Sequence, residues 1–253
     1  MPKVITIVSP NNNTGKTTTL INLSAWLGLL GKKVLIIDLD QKSMVTDFLI
    51  NKEECINSIE NVILEQIPID EAIVDTSVKG LCIVPTINND ENITLENIFE
   101  TDIFSLRDSI DLIEENFDCI FLDISDNSSN IYKAALIASD SVIISLKCET
   151  EEIEMINNLI KSIASIKFEY NNWLELSGLL ITVFNNQSSI SSQVYRNLKE
   201  NFGDLLYKTN IPKNNLIIES CNAKTPVALY DIKSFGAESY LRLAKEFIQN
   251  NSI

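Results

Sequence analysis

The chain has 253 residues, 45% of them hydrophobic, with 35 Asp and Glu against 20 Lys and Arg, a formal net charge of −15 and no histidine. That length suits one large α/β domain spanning residues 1–253 and is short for two; the charge opposes nucleic-acid binding, which draws its affinity from basic residues, and the missing histidine removes the usual general base and nitrogen metal ligand. No apolar run approaches the roughly 18–20 residues that span a bilayer, and a first strand from Lys3 leaves no room for a signal segment, so a soluble, cytoplasmic protein with no membrane partner is expected.

Residues 3–8, KVITIV, form a β-branched run and predict a strand. A polar loop follows, then a helical pattern from Lys16 to about Leu30, closed by Gly31. KVLIIDLD at 33–40 is too continuously apolar for a half-exposed strand and suits a parallel strand buried on both faces. Similar runs at 81–84, 119–124, 142–146 and 179–184 predict further strands, with helical patterns at 103–115, 129–138, 152–167 and 190–201 between them. This alternation predicts an α/β fold with a doubly wound, mostly parallel sheet flanked by helices. Right-handed crossovers then bring the loops after the strands to one edge, where ligands bind. The last helix, about 237–249, puts Ala237, Tyr240, Leu241, Ala244, Phe247 and Ile248 on one face and lacks a basic cluster, so it is expected to pack on the sheet. Arg196 and Lys199 read as an ordinary solvated helix face. Cys55, Cys82, Cys119, Cys148 and Cys221 are never spaced as C-x-x-C and are expected to be reduced, buried thiols.

Two groups of residues carry chemistry. Gly15-Lys16-Thr17-Thr18 lies between a predicted strand and helix, the setting a phosphate-binding loop requires. The helix amides and dipole attract phosphate there, Lys16 reaches the β- and γ-phosphates, the Thr17 hydroxyl ligates Mg²⁺, and Thr18 contacts the α-phosphate. The competing reading is a Thr-rich helix start that caps itself. Asp38 and Asp40 flank Leu39 at the end of the second strand, where period-two alternation points both side chains the same way, and Asp123 ends the run CIFLD. A strand-end carboxylate beside such a loop holds Mg²⁺ through water; the alternative is that it caps the following helix.

In these stretches the chain resembles the ParA/Soj/MinD group of P-loop ATPases. NNNTGKTT at 11–18 lies without a gap on the pattern K-G-G-x-G-K-T-T, DLDQKSMVT at 38–46 on D-x-D-P-Q-G-N-A-T, and FDCIFLDIS on the family's Asp-containing strand. FGDLLYKTNIPKN and TPVALYDIKSFGAESYLRLAKEFI resemble the family's C-terminal part. The resemblance implies a nucleotide-dependent homodimer enclosing two ATP molecules, non-specific DNA binding, and a centromere-binding ParB-like partner that stimulates hydrolysis of ATP to ADP in plasmid or chromosome partition. By position it makes the loop Asn11, Asn12, Asn13, Thr14, Gly15, Lys16, Thr17 and Thr18 nucleotide-binding, Lys16 and Asp40 catalytic, and Thr17, Asp38 and Asp123 the magnesium residues. Pro212 and Asn214 fall in the adenine-side loop, and Asn185 at a strand end is expected to face the base.

The departures are as specific as the matches. Asn11 replaces the lysine that reaches across the family's dimer, and a neutral amide cannot stabilise transition-state charge, so weak or absent hydrolysis is expected. Asn12 and Asn13 replace glycines, and Asn is the residue that best tolerates left-handed backbone. Gln41 replaces a proline, as do Ser125 and Asp126. The family's DNA-contact arginines align with Gln187 and Leu216, leaving Lys213 as the remaining cation. The rival reading is therefore a hydrolysis-poor, nucleotide-stabilised module that recruits a protein partner.

Overall fold

The computed structural model describes residues 2–87, 94–125, 127, 129–148, 153–185 and 187–253. Seven strands form one sheet: β1 (Lys3–Val8), β2 (Val34–Asp38), β3 (Val74–Asp75), β4 (Leu81–Val84), β5 (Cys119–Asp123), β6 (Ser141–Lys147) and β7 (Glu175–Thr182). Their order is β3-β4-β2-β5-β1-β6-β7, and every pairing except β3 with β4 is parallel. The two-residue antiparallel β3 leaves little unpaired backbone at that edge, and is too short to have a periodicity readable from sequence.

The central strands bury both faces, which is why they read as continuous apolar runs. Along β5, Cys119 and Phe121 face one core while Ile120 and Leu122 face the other; along β2, Val34 and Ile36 oppose Leu35 and Ile37 in the same way. The first core is covered by α1 (Lys16–Leu29) and α11 (Phe235–Asn251). The second is covered by α4 (Leu95–Thr101), α5 (Ser105–Asp111), α6 (Asn130–Ala138), α7 (Ile153–Glu169) and α8 (Ser189–Phe202). Helix α1 is buried nearly all round from Thr19 to Gly28, because it lies between the sheet and α11. The expected apolar face of α11 is found, with Ala237, Tyr240, Ala244 and Phe247 buried and Leu241 and Ile248 half-buried. Phe247 meets Phe121 with ring centroids 5.6 Å apart.

Several expectations need correction. The strand expected over 179–184 begins at Glu175 and ends at Thr182, because Val183 turns left-handed at φ 53; beyond it Phe184 forms only an isolated bridge to Pro212. The helix expected over 103–115 is the shorter α5 followed by a 3-10 turn at Glu114–Asn116. Five helices escaped the pattern. They are α2 (Met44–Leu49), α3 (Ile59–Ile63), α4, α9 (Asn215–Asn222) and α10 (Val227–Tyr230), all of eight residues or fewer and held more by capping and packing than by periodicity. Of the five cysteines, Cys119 and Cys148 are buried and Cys55, Cys82 and Cys221 half-exposed, and among the described residues none forms a disulfide.

Gly28 shows how tightly α1 is clasped. A Cβ there would lie 2.5 Å from the Lys79 carbonyl oxygen in the turn before β4. Gly28→Ala should therefore destabilise the protein by about 1–3 kcal/mol through overpacking, although alanine is the better helix former by about 1 kcal/mol. Thermal unfolding checks this, with a fall in Tm of about 2–4 °C expected for each kcal/mol.

Candidate phosphate-binding site

The loop after β1 runs from Ser9 to Gly15 and enters α1 directly. Gly15 is the N-cap at φ 76, where a side chain would be strained, and no side chain caps the helix. Thr19 N–H donates to the Gly15 carbonyl at 2.8 Å as part of the first turn, and the amides ahead of it, having no carbonyl one turn back, form the end of the helix that attracts an anion. Asn13 also adopts a left-handed conformation, φ 61. The loop is tied down from beneath. The Thr14 carbonyl accepts from Ser145 Oγ of β6 at 2.9 Å and from Thr182 Oγ1 of β7 at 2.6 Å. Ser9 Oγ donates to the Asn11 carbonyl at 2.6 Å, and Asn127 Nδ2 donates to the Ser9 carbonyl.

Above the loop lies a cleft of about 570 Å³, walled by the loop, the first turn of α1, Asp40, Lys42 and Met44 on one strand-end loop, and Ile124 and Ser125 on another. Lys16 Nζ donates to the Ser125 carbonyl at 3.0 Å. A second cleft of about 320 Å³ shares Gly15 and Thr18 with the first. Its walls are mainly apolar, with Ile211, Pro212, Ile217 and Tyr240 beside Thr182 and Asn214. A polar chamber joined to an apolar slot matches a ligand with an anionic tail and a flat apolar head.

The carboxylates set the electrostatics. Parallel pairing of β2 and β5 puts Asp38 opposite Asp123. Burial pushes the Asp123 carboxyl well up, and Asp38 and Asp40 push it further while Lys16 opposes them. Asp123 Oδ2 is buried and has no hydrogen-bond partner among the described residues. Burial also raises Asp38, from 3.8 to about 6, despite hydrogen bonds from Thr46 and the Asp40 amide that favour its charge. Among the described residues no three His, Cys, Asp or Glu side chains gather to hold a metal by themselves. A cation here would rest on the Thr17 hydroxyl, water and ligand oxygens beside these carboxylates, which is how Mg²⁺ prefers to be held.

Residues 2–176 match the family described as an AAA domain. The sporulation initiation inhibitor protein Soj of Bacillus subtilis (strain 168) is 31% identical over 253 residues, covering 99% of this chain and 100% of that protein. The chain belongs to the ParA/MinD family of P-loop ATPases. The chromosome partitioning protein ParA of Caulobacter vibrioides (strain NA1000 / CB15N) is 30% identical over 251 residues, 97% of this chain and 94% of that protein. Among solved structures, cobyrinic acid a,c-diamide synthase from Mycobacterium smegmatis with bound ADP and magnesium superposes with a TM-score of 0.84 at 22% identity. That match covers 100% of this chain and 96% of that one, and it shows the shared fold.

Against the family pattern, the structure gathers Asn12, Asn13, Thr14, Gly15, Lys16, Thr17, Thr18 and Asp40 around one cleft. Asp38 does not line it. The strand ends at Asp38, so the alternation expected to align it with Asp40 stops there. The Asp38 carboxylate is sealed, with Oδ1 accepting from Asp40 N–H at 3.0 Å and Oδ2 from Thr46 N–H at 2.9 Å and Thr46 Oγ1 at 2.7 Å. Asn11 is half-buried outside the set lining that cleft. Pro212 and Asn214 line the apolar slot, where Asn214 Oδ1 caps α9 by accepting from Leu216 and Ile217 N–H. Asn185 lies elsewhere. Its Oδ1 accepts from Gln187 N–H at 3.1 Å in a turn that lines a third cleft, of about 540 Å³, on the other side of Pro212 and Lys213. Lys208 and Arg242 line that cleft too; they are remote from each other in sequence and no motif announced them. Leu216 is half-buried in α9, Gln187 and Lys213 are exposed, and Asp126 lies outside the described residues. Lys42, Ser125 and Thr46 are the site residues that sequence reasoning passed over.

The buried carboxylates give a pH signature to the ligand-free protein. Between 3.8 and about 6 folded Asp38 keeps a proton that the unfolded chain has lost, so its contribution makes stability fall as pH rises through this window and level off above it. Asp123→Asn removes the buried carboxyl group that burial and its acidic neighbours make costly to ionise and whose Oδ2 has no hydrogen-bond partner among the described residues. Its Tm at pH 7 should rise by roughly 2–4 °C without ligand, the shift that about 1 kcal/mol makes in a domain of this size. Scanning calorimetry from pH 4 to 8 on both proteins checks both expectations.

Proposed function

We propose that the chain binds ATP or ADP with Mg²⁺ in the joined clefts and works as a cytoplasmic, ParA-like partition ATPase, cycling between a nucleotide-bound dimer and a monomer. The observation that carries this reading is the glycine-capped helix start, with Lys16 and Asp40 lining one cleft and the register-paired carboxylates Asp38 and Asp123 buried at the ends of the adjoining strands. Full-length similarity to Soj and ParA supports it, as does the ADP and magnesium held by a protein of the same fold.

On this reading the amides at the start of α1 and Lys16 would hold the phosphates, and Thr17, Asp38 and Asp123 would hold Mg²⁺, the two carboxylates through water. Mg²⁺, when bound, neutralises charge on the phosphate oxygens. Asp40, which lines the cleft at 5% exposure, is on this reading the residue that orients the attacking water. The apolar slot with Pro212 and Asn214 takes the base. A homodimer and a centromere-binding ParB-like partner belong to the same reading. Non-specific DNA has a basic cleft available in Lys208, Lys213 and Arg242, set against a net charge of −15.

Asn11 favours a second reading, in which the protein holds nucleotide without turning it over and serves as a nucleotide-gated adaptor for a protein partner. Titration calorimetry with ATP and Mg²⁺, run beside a phosphate-release assay, separates the two. Binding is expected, with Lys16→Ala weakening it roughly 10–100-fold, the range for losing hydrogen bonds to a charged group. Turnover in the wild type supports the ATPase; tight binding without turnover supports the adaptor. A wild-type protein that binds no nucleotide refutes both.

A further inference from the structure

The phosphate cleft is short of positive charge. Asp38, Asp40 and Asp123 act on one another electrostatically, and Lys16 is the cation that opposes them at Asp123. Lys16 already donates to the Ser125 carbonyl. A polyphosphate chain entering this space adds several negative charges, and the family's second lysine is absent because position 11 is Asn.

The structure offers a replacement from another element. Lys16 and Lys42 are the two cations lining the cleft among the described residues. The family pattern D-x-D-P-Q-G-N-A-T carries Gln where this chain has Lys42, so a lysine has been lost from the phosphate loop and one gained in the turn after β2. That turn is rigid. Asp40 Oδ1 accepts from Lys42 N–H at 3.0 Å, and the Asp40 carbonyl accepts from Ser43 N–H at 2.7 Å. Ser43 is left-handed at φ 52, and its Oγ donates to the Thr86 carbonyl at 3.3 Å while accepting from Lys52 Nζ at 2.9 Å. The backbone of Lys42 is therefore held at the cleft rim. Its side chain is exposed, and its ammonium group has no hydrogen bond or ion pair with the described residues.

We infer that Lys42 is a phosphate-binding residue that supplies, from within the same subunit, the second positive charge for the terminal phosphate of a nucleoside triphosphate. This rests on the nucleotide reading above and deepens it. Where a lysine reaching from a second subunit makes charge neutralisation depend on dimerisation, a lysine on the β2 turn makes it a property of one chain. Lys42 thus discriminates triphosphate from diphosphate, because only the former extends the charge that it meets.

Titration calorimetry of the full chain with Mg-ATP and with Mg-ADP tests this on the wild type, Lys42→Gln, Lys42→Arg, Lys16→Ala and Lys79→Gln. The last removes the same charge from an exposed position before β4, at the other end of the sheet. Lys42→Gln should weaken Mg-ATP binding roughly tenfold, the low end for losing a charge-assisted contact at a solvent-facing position, and weaken Mg-ADP binding much less. Lys42→Arg should keep the preference for ATP, Lys79→Gln should leave both affinities unchanged, and Tm should not move in either glutamine variant. A wild type whose binding is removed by Lys16→Ala but whose ATP:ADP preference survives Lys42→Gln overturns the inference alone. A wild type that binds neither nucleotide overturns the nucleotide reading and this inference with it.

Discussion

Asp38 and Asp123 face each other across two parallel strands in the middle of the sheet, both essentially without solvent. Two buried like charges in adjacent strands are unfavourable unless a cation, a proton or a set of donors answers them. The surrounding architecture supplies part of that answer. Thr46 and the Asp40 amide satisfy Asp38, which fixes the turn after β2 and sets the start of α2. Asp123 is left with an oxygen that no described residue answers and with Lys16 as the cation that acts on it. The arrangement is poor for ligand-free stability and good for drawing in a divalent cation, a trade-off typical of functional sites.

The phosphate loop illustrates how a motif survives loss of its usual residues. Of the two asparagines at glycine positions, Asn13 takes a left-handed backbone and Asn12 does not, so only one of them meets the conformational demand that glycine ordinarily meets. The loop's shape is held instead by what lies under it. Donors on β6 and β7 converge on the Thr14 carbonyl, so the loop's floor depends on strands remote from it in sequence. Such a floor constrains backbone geometry and tolerates change in the side chains above it.

Much of this was legible in the chain. Strands buried on both faces announce themselves as apolar runs, and α1, α6, α8 and α11 carry enough turns for a helical pattern to show. The short helices α2, α3, α4, α9 and α10 are held by caps and neighbours, which a periodicity cannot report. The phosphate loop and its carboxylates were readable as motifs. The sealed state of Asp38 was not, because it depends on Thr46 folding back across eight residues. The position of Asn185 in the third cleft was not legible for a similar reason, since the left-handed turn at Val183 ends the strand early and carries the chain there. Lys42 escaped notice because a lysine in a polar loop has no signature until the cleft around it is known.

The family match ends at residue 176, yet the slot that adjoins the phosphate cleft is built largely beyond it, from Thr182, Pro212, Asn214, Ile217 and Tyr240. The grip on an anion and the shape of the head group's seat are therefore written largely in separate stretches of chain, which meet at Gly15 and Thr18 in the walls and at the Thr182–Thr14 hydrogen bond beneath the loop. Substitutions in the last third that spare Thr182 can reshape what sits in the slot without removing a support of the loop. A fragment cut at the end of the match would lose the seat, the Thr182 hydroxyl that supports the loop from beneath, and the helix α11 that shields α1 from water.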